Sequence, residues 1–128
     1  MHTPTDPVAA FNAERSAQNE SVLALNDKIL KRIFNLDANA YREGALPVAT
    51  KELIGLSCSL VLRCDDCVRY HLQTCYELGL SKQEVTEAMS IANLIGGTIV
   101  IPHLRRAVAF WEALENSPEV RPTKKPHA

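Results

Sequence analysis

Two cysteines three residues apart, followed four residues later by a histidine, are the part of this chain best equipped for chemistry: Cys64-Asp65-Asp66-Cys67, then His71. On an α-helix, at about 100° per residue, Cys67 lies roughly 60° and His71 roughly 20° behind Cys64 in azimuth, so all three share one face. Two thiols in that register can close a disulfide. If the run opens a helix, the partial positive charge and unpaired N–H groups of its first turn favour a thiolate, and a nearby imidazole can exchange its proton. These are the requirements of thiol–disulfide exchange. Asp65 and Asp66 oppose them in part, because a carboxylate beside a sulfur disfavours a second negative charge. Arg63 and Arg69 stand where they can offset that charge. The balance predicts a thiol less acidic than in a strongly oxidising pair, hence a couple suited to reducing a partner.

The same residues admit a metal reading. A Cys-x-x-Cys is half of many zinc sites, but the second Cys-x-x-Cys or His-x-x-x-His that would complete one is absent from the sequence. What remains is a weaker set of Cys64, Cys67, His71 and one carboxylate. Cys58 and Cys75 sit among apolar neighbours and read as inert core thiols. His103, beside Pro102, reads as structural or exposed, while His2 and His127 lie in the two ends, and none of the three is given a role.

Helices must hold these side chains, for apolar residues recur at steps of three or four almost throughout. Val22, Leu25, Ile29, Ile33 and Leu36 predict a helix of about four turns, with a shorter one between Pro7 and Gln18. Another begins at Pro47 and carries Leu53, Leu56 and Leu60 towards Leu62. The next starts near Cys64, carries Val68, Leu72 and Tyr76, and closes at Gly79. Ser81 caps a further helix, with Glu84 completing a capping box ahead of Val85, Met89 and Ala92, and Gly96-Gly97 ends it. The last, from Thr98 to about Asn116, has Pro102 either in its first turn or as a kink. No alternating strand pattern of useful length occurs, so the fold class is all-α.

One domain spanning 1–128 is expected, with its core at about 20–116 and loose ends at about 1–6 and 117–128. Fourteen basic against fifteen acidic residues leave a net charge of −1, so no strong field draws in nucleic acid or an anionic membrane. The N-terminus lacks the basic and apolar pattern of a secretory signal, and no run of about 18 apolar residues is present. A cytoplasmic location is expected, where cysteines are more often free, metal-bound or catalytic than structural disulfides.

Glu52, followed by Cys64, Cys67 and His71, resembles the Glu…CxxCxxxH signature of the carboxymuconolactone decarboxylase superfamily, in its alkyl hydroperoxidase D-like branch. The likeness runs through KELIGLSCSLVLRCDDCVRYHLQTCYELGLSKQEVTEAMSIANLIGGTIV, from about Pro47 to the last helix. It implies an all-helical protomer, assembly into trimers or hexamers, and a cysteine pair that reduces hydroperoxides or exchanges with a redox partner's disulfide at the expense of a thiol reductant. No cofactor or metal is implied. It also implies a proton relay of Glu52, Cys64 and His71 that activates Cys67. Position in the helix favours Cys64 as nucleophile, whereas the relay has Cys67 attack the peroxide and Cys64 resolve the sulfenic acid as a disulfide. Peroxide is assigned to Cys67, and the point of attack by a thiol partner stays open. Contact between Glu52 and the Cys64 region requires a turn near Arg63, since one straight helix would hold them about 18 Å apart. The rival functions are decarboxylase or lactone-processing chemistry, which needs acid–base groups and no thiol pair, and a non-catalytic, zinc-linked module.

Overall fold

Asp6 opens the first helix, α1 (Pro7–Ala24), its carboxylate accepting a 3.0 Å hydrogen bond from the Val8 amide while Pro7 takes a position where no amide donor is needed. The computed structural model describes residues 6–123, and His2 and His127 lie outside them. Helix α1 continues past Gln18 to Ala24, and the expected four-turn helix over Val22–Leu36 is two helices. Asn26 takes a left-handed conformation with φ 58°, and Asp27 then caps α2 (Lys28–Ala40) through a 3.0 Å bond from the Leu30 amide. Asparagine enters that region at low cost, and an aspartate directly after it supplies a new cap. Apolar spacing runs across the break unchanged, which is why periodicity alone missed it.

The remaining helices follow the sequence closely: α3 (Val48–Val61), α4 (Asp65–Glu77), α5 (Lys82–Gly96) and α6 (Ile101–Asn116), with a short 3-10 turn at Thr98–Val100. Ser81 and Glu84 form both bonds of the capping box of α5. Pro102 sits in the first turn of α6 and kinks nothing. No strand occurs among the described residues, and the fold is all-α. None of the helices is long and apolar enough to cross a membrane.

Helix α3 packs against both α4 and α5, α6 lies along α4, and α1 crosses α6. Leu56, Leu60, Leu72 and Leu114 are fully buried at the centre, each contributing about 1.5–3 kcal/mol through loss of apolar surface from water. This core extends beyond 20–116 on both sides. Val8 is 0% exposed and Val120 6% exposed, Phe11 packs edge-on against Phe110, and Thr123 donates two hydrogen bonds to the Glu77 carbonyl. Single apolar residues, Val8 and Val120 among them, anchor the described parts of the two ends.

Helix α2 differs from the others: none of its residues is buried, and Ile29, Ile33 and Leu36 are 59%, 54% and 66% exposed. A second exposed apolar group, Leu94, Ile95 and Ile99, surrounds the end of α5.

Candidate functional site

The chain reverses between α3 and α4 at Arg63, whose φ of 61° is left-handed. The Arg63 amide bonds the Leu60 carbonyl and the Cys64 amide bonds the Ser59 carbonyl, both at 3.0 Å, which closes α3 in a Schellman motif. A non-glycine residue in that conformation costs on the order of 1 kcal/mol, and the turn it makes returns α4 alongside α3. The turn expected near Arg63 is therefore present.

Cys64 is the N-cap of α4, its sulfur accepting from the Cys67 amide at 3.2 Å. Cys64 and Cys67 are joined as a disulfide, with Cα atoms 5.3 Å apart, while Cys58 and Cys75 are free. Cys67 is exposed and Cys64 half-buried. Helix position alone favours Cys64 as nucleophile, yet Cys67 is the more exposed of the two.

One turn further along α4, His71 is 8% exposed, and Glu52 of α3 is 3% exposed. Their contact is short, Nδ1 to Oε1 at 2.7 Å. A carboxylate only accepts, so Nδ1–H donates to Glu52, and Nε2 is the ring nitrogen left to exchange a proton with other neighbours. Nε2 faces the Tyr41 hydroxyl at 3.4 Å. Burial, and then the nearby Glu52 charge, push the Tyr41 phenol above its ordinary value, so it remains a hydroxyl donor near neutral pH.

Gly55, one turn beyond Glu52 on α3, makes room for this arrangement. A β-carbon there would lie 2.7 Å from both His71 Cε1 and Tyr41 Oη, and 2.9 Å from His71 Nε2. The sequence carried a faint signal for Gly55, since a glycine inside a helix disfavours it by about 1 kcal/mol relative to alanine and so marks a packing constraint. Tyr41 carried none.

Cys67, Tyr70 and His71 line a cleft of about 420 Å³, whose far wall is α1 through Phe11, Glu14 and Arg15. Arg15 lies 4.1 Å above the Tyr70 ring and holds that wall in place. Glu52 and His71 are thus brought into direct contact, Cys64 and Cys67 into a bond, and Cys67 and His71 onto one cleft. Among the described residues no hydrogen bond joins the imidazole to either sulfur.

Two expectations need correction, those for Cys58 and for the partner of Asp65, whereas Cys75 is the inert core thiol expected. Cys58 is exposed and lines a second cavity with Tyr41, Lys51 and Gly55. Cys75 is buried, and desolvation pushes its thiol up to about 12, which keeps it protonated and inert. Arg69 does pair with Asp66, but Asp65 is bonded by His103 and Arg106 of α6, and among the described residues Arg63 forms no ion pair with either carboxylate.

Known proteins share this arrangement of helices. The sequence model described as the carboxymuconolactone decarboxylase family matches residues 27–110. A Thermotoga maritima protein seen in two crystal structures is 54% and 53% identical, with TM-scores of 0.82 and 0.80. The matches cover 84% of this chain and 94% and 91% of those chains. One of these structures is described as a carboxymuconolactone decarboxylase family protein with a suggested part in the antioxidative response. A Legionella pneumophila protein of that family is 26% identical with a TM-score of 0.73, over 88% of this chain and 97% of its own. An uncharacterised protein of Cupriavidus necator is 31% identical over 75 residues, 59% of this chain and 66% of that protein.

Proposed function

We propose, from the premise that the chain belongs to the carboxymuconolactone decarboxylase family, that it is a thiol-dependent oxidoreductase reducing hydroperoxides or a partner's disulfide through Cys64 and Cys67. The observation that carries this reading is a closed Cys64–Cys67 pair whose Cys67 lines the same cleft as His71, the imidazole that is hydrogen-bonded to buried Glu52. In the reduced protein His71 Nε2 takes the proton of Cys67, with Glu52 steadying the imidazolium. The Cys67 thiolate attacks the peroxide ROOH, the O–O bond breaks, and with one proton the products are Cys67 sulfenic acid and ROH. The Cys64 thiol then displaces water from the sulfenic acid and forms the disulfide. Two thiols of the reductant restore the pair and leave as a disulfide. Acid–base chemistry on a lactone or carboxylate would leave the thiol pair unused. The antioxidative part suggested for the Thermotoga maritima relative agrees with the redox reading.

The test is turnover of a hydroperoxide with dihydrolipoamide, thioredoxin or glutaredoxin as alternative donors. Peroxide loss should match donor oxidation one to one with at least one of them. Absence of turnover with all three, together with stoichiometric zinc by metal analysis, would support the zinc-linked module instead.

Gly55→Ala offers a further check without touching an ionisable group. The added methyl must displace the imidazole or the phenol, and misplacement of a catalytic group by about 1 Å costs on the order of 10²-fold. Peroxide turnover should fall by roughly 10- to 100-fold while circular dichroism still reports a cooperative helical fold. An unchanged rate would mean that the His71–Tyr41 geometry does not matter to the reaction.

We also propose assembly into a homo-oligomer, a trimer or hexamer. The exposed stripe of Ile29, Ile33 and Leu36 supports it, since helices in water rarely leave such a stripe uncovered. Light scattering at micromolar concentration should give a mass of several chains, and Ile33→Asp should lower it. A monomeric wild type contradicts the proposal.

A further inference from the structure

Helix α6 presents a second imidazole to the end of α4 that carries the cysteines. Asp65, the residue after Cys64, is held by both oxygens: His103 Nδ1 lies 2.7 Å from Oδ1 and Arg106 Nε lies 2.8 Å from Oδ2. Because the carboxylate can only accept, Nδ1 carries its proton towards Asp65, and the 3.2 Å approach of Arg106 Nη2 to that nitrogen is a contact of two donors. The Asp65 and His103 side chains are 30% and 18% exposed, so this cluster is more shielded than the neighbouring pair, in which Asp66 is 77% exposed. None of these groups enters the peroxide chemistry above.

We infer that His103 and Arg106 are positioning residues that set the reduction potential of the Cys64–Cys67 pair by occupying the Asp65 carboxylate. The inference rests on the redox reading of that pair. An unengaged carboxylate one residue from Cys64 would oppose a thiolate in the first turn of α4, against the favourable effect of the helix N-terminus. Thiolate stability is what favours the reduced form of a dithiol couple. With Asp65 hydrogen-bonded to His103 and ion-paired with Arg106, that opposition is reduced. Burial pulls the Asp65 carboxyl upward, but the bonds from His103 and Arg106 outweigh it and hold the group below its ordinary value. Of the remaining charges near this turn, Asp66 and Arg69 are paired with each other, and Arg63, the residue before Cys64, is exposed to solvent.

The experiment is equilibration of the full chain with defined ratios of glutathione and glutathione disulfide. In that exchange the protein disulfide and two glutathione thiols give two protein sulfhydryls and glutathione disulfide, and a proton leaves when the more acidic sulfhydryl ionises. Arg106→Gln and His103→Ala should make the pair more reducing, each by a few-fold to about tenfold in the equilibrium constant, tenfold being about 30 mV for a two-electron couple. Asp65→Asn should shift it the opposite way, and His103→Ala added to Asp65→Asn should cause little further change. The pH at which the pair becomes half-alkylated by iodoacetamide should move in step, upward for the first two variants and downward for Asp65→Asn. A latch with only mechanical value would move all three variants in one direction, and that result, or no shift in any, overturns the inference. Arg106 is half-exposed, so its variant keeps the test available should His103→Ala fail to fold. A wild type that does not titrate with glutathione overturns the redox reading itself, whereas a titrating wild type with unshifted variants overturns this inference alone.

Discussion

Cys67→Ser is expected to abolish peroxide turnover, and Cys64→Ser to permit one attack and then stall with a sulfenic acid at Cys67 that dimedone labels. The asymmetry follows from where the two sulfurs stand. Cys67 is exposed on the cleft shared with His71, whereas Cys64 is half-buried as the cap of α4. A serine hydroxyl is not appreciably ionised near neutral pH, so loss of the attacking sulfur leaves only background rates. Loss of the resolving sulfur leaves the first step intact and removes the disulfide product. Labelling followed by peptide mapping reads this directly. A label at Cys64 in Cys67→Ser, with none in Cys64→Ser, would mean that the helix N-terminus chooses the nucleophile and Cys64 attacks first.

His71→Ala is expected to lower kcat/KM for peroxide by about 10²-fold or more, the usual contribution of general-base assistance. Glu52→Gln should be milder, because glutamine can still accept from Nδ1 of His71 and keep the ring oriented while losing the charge that stabilises the imidazolium. Glu52 is 3% exposed, so Glu52→Ala would instead strand a buried imidazole and cost stability as well as rate. The measurement is steady-state kinetics beside thermal melts and a thiol titration, the last expected to be unchanged in both variants. If both retain full rates, the helix N-terminus and neighbouring cations stabilise the thiolate unaided, and the relay is wrong.

What the sequence made legible was local. The cap at Ser81, the start of α4 at Cys64 and the turn at Arg63 depend on residues within a few positions of one another, and all three stand where the pattern put them. The break at Asn26 was hidden because a left-handed residue and a new cap leave apolar periodicity undisturbed. The pairing of Glu52 with His71 came from the family signature, since a glutamate in a helix otherwise reads as solvated. Tyr41 and the His103–Asp65–Arg106 cluster were out of reach for another reason. They lie 30, 38 and 41 residues from their partners, and only the packing of helices brings them together. Cys58 misled because its apolar neighbours in sequence flank it on α3 without covering it.

The most direct test of the central claim is mass spectrometry of the reduced full chain after one equivalent of hydroperoxide, with peptide mapping and a second sample returned to dithiol. Loss of two hydrogens should map to a Cys64–Cys67 disulfide, should appear with one alcohol formed per chain, and should vanish on reduction. A disulfide engaging Cys58 or Cys75, or a chain whose Cys64 and Cys67 stay reduced while peroxide persists, would contradict the account.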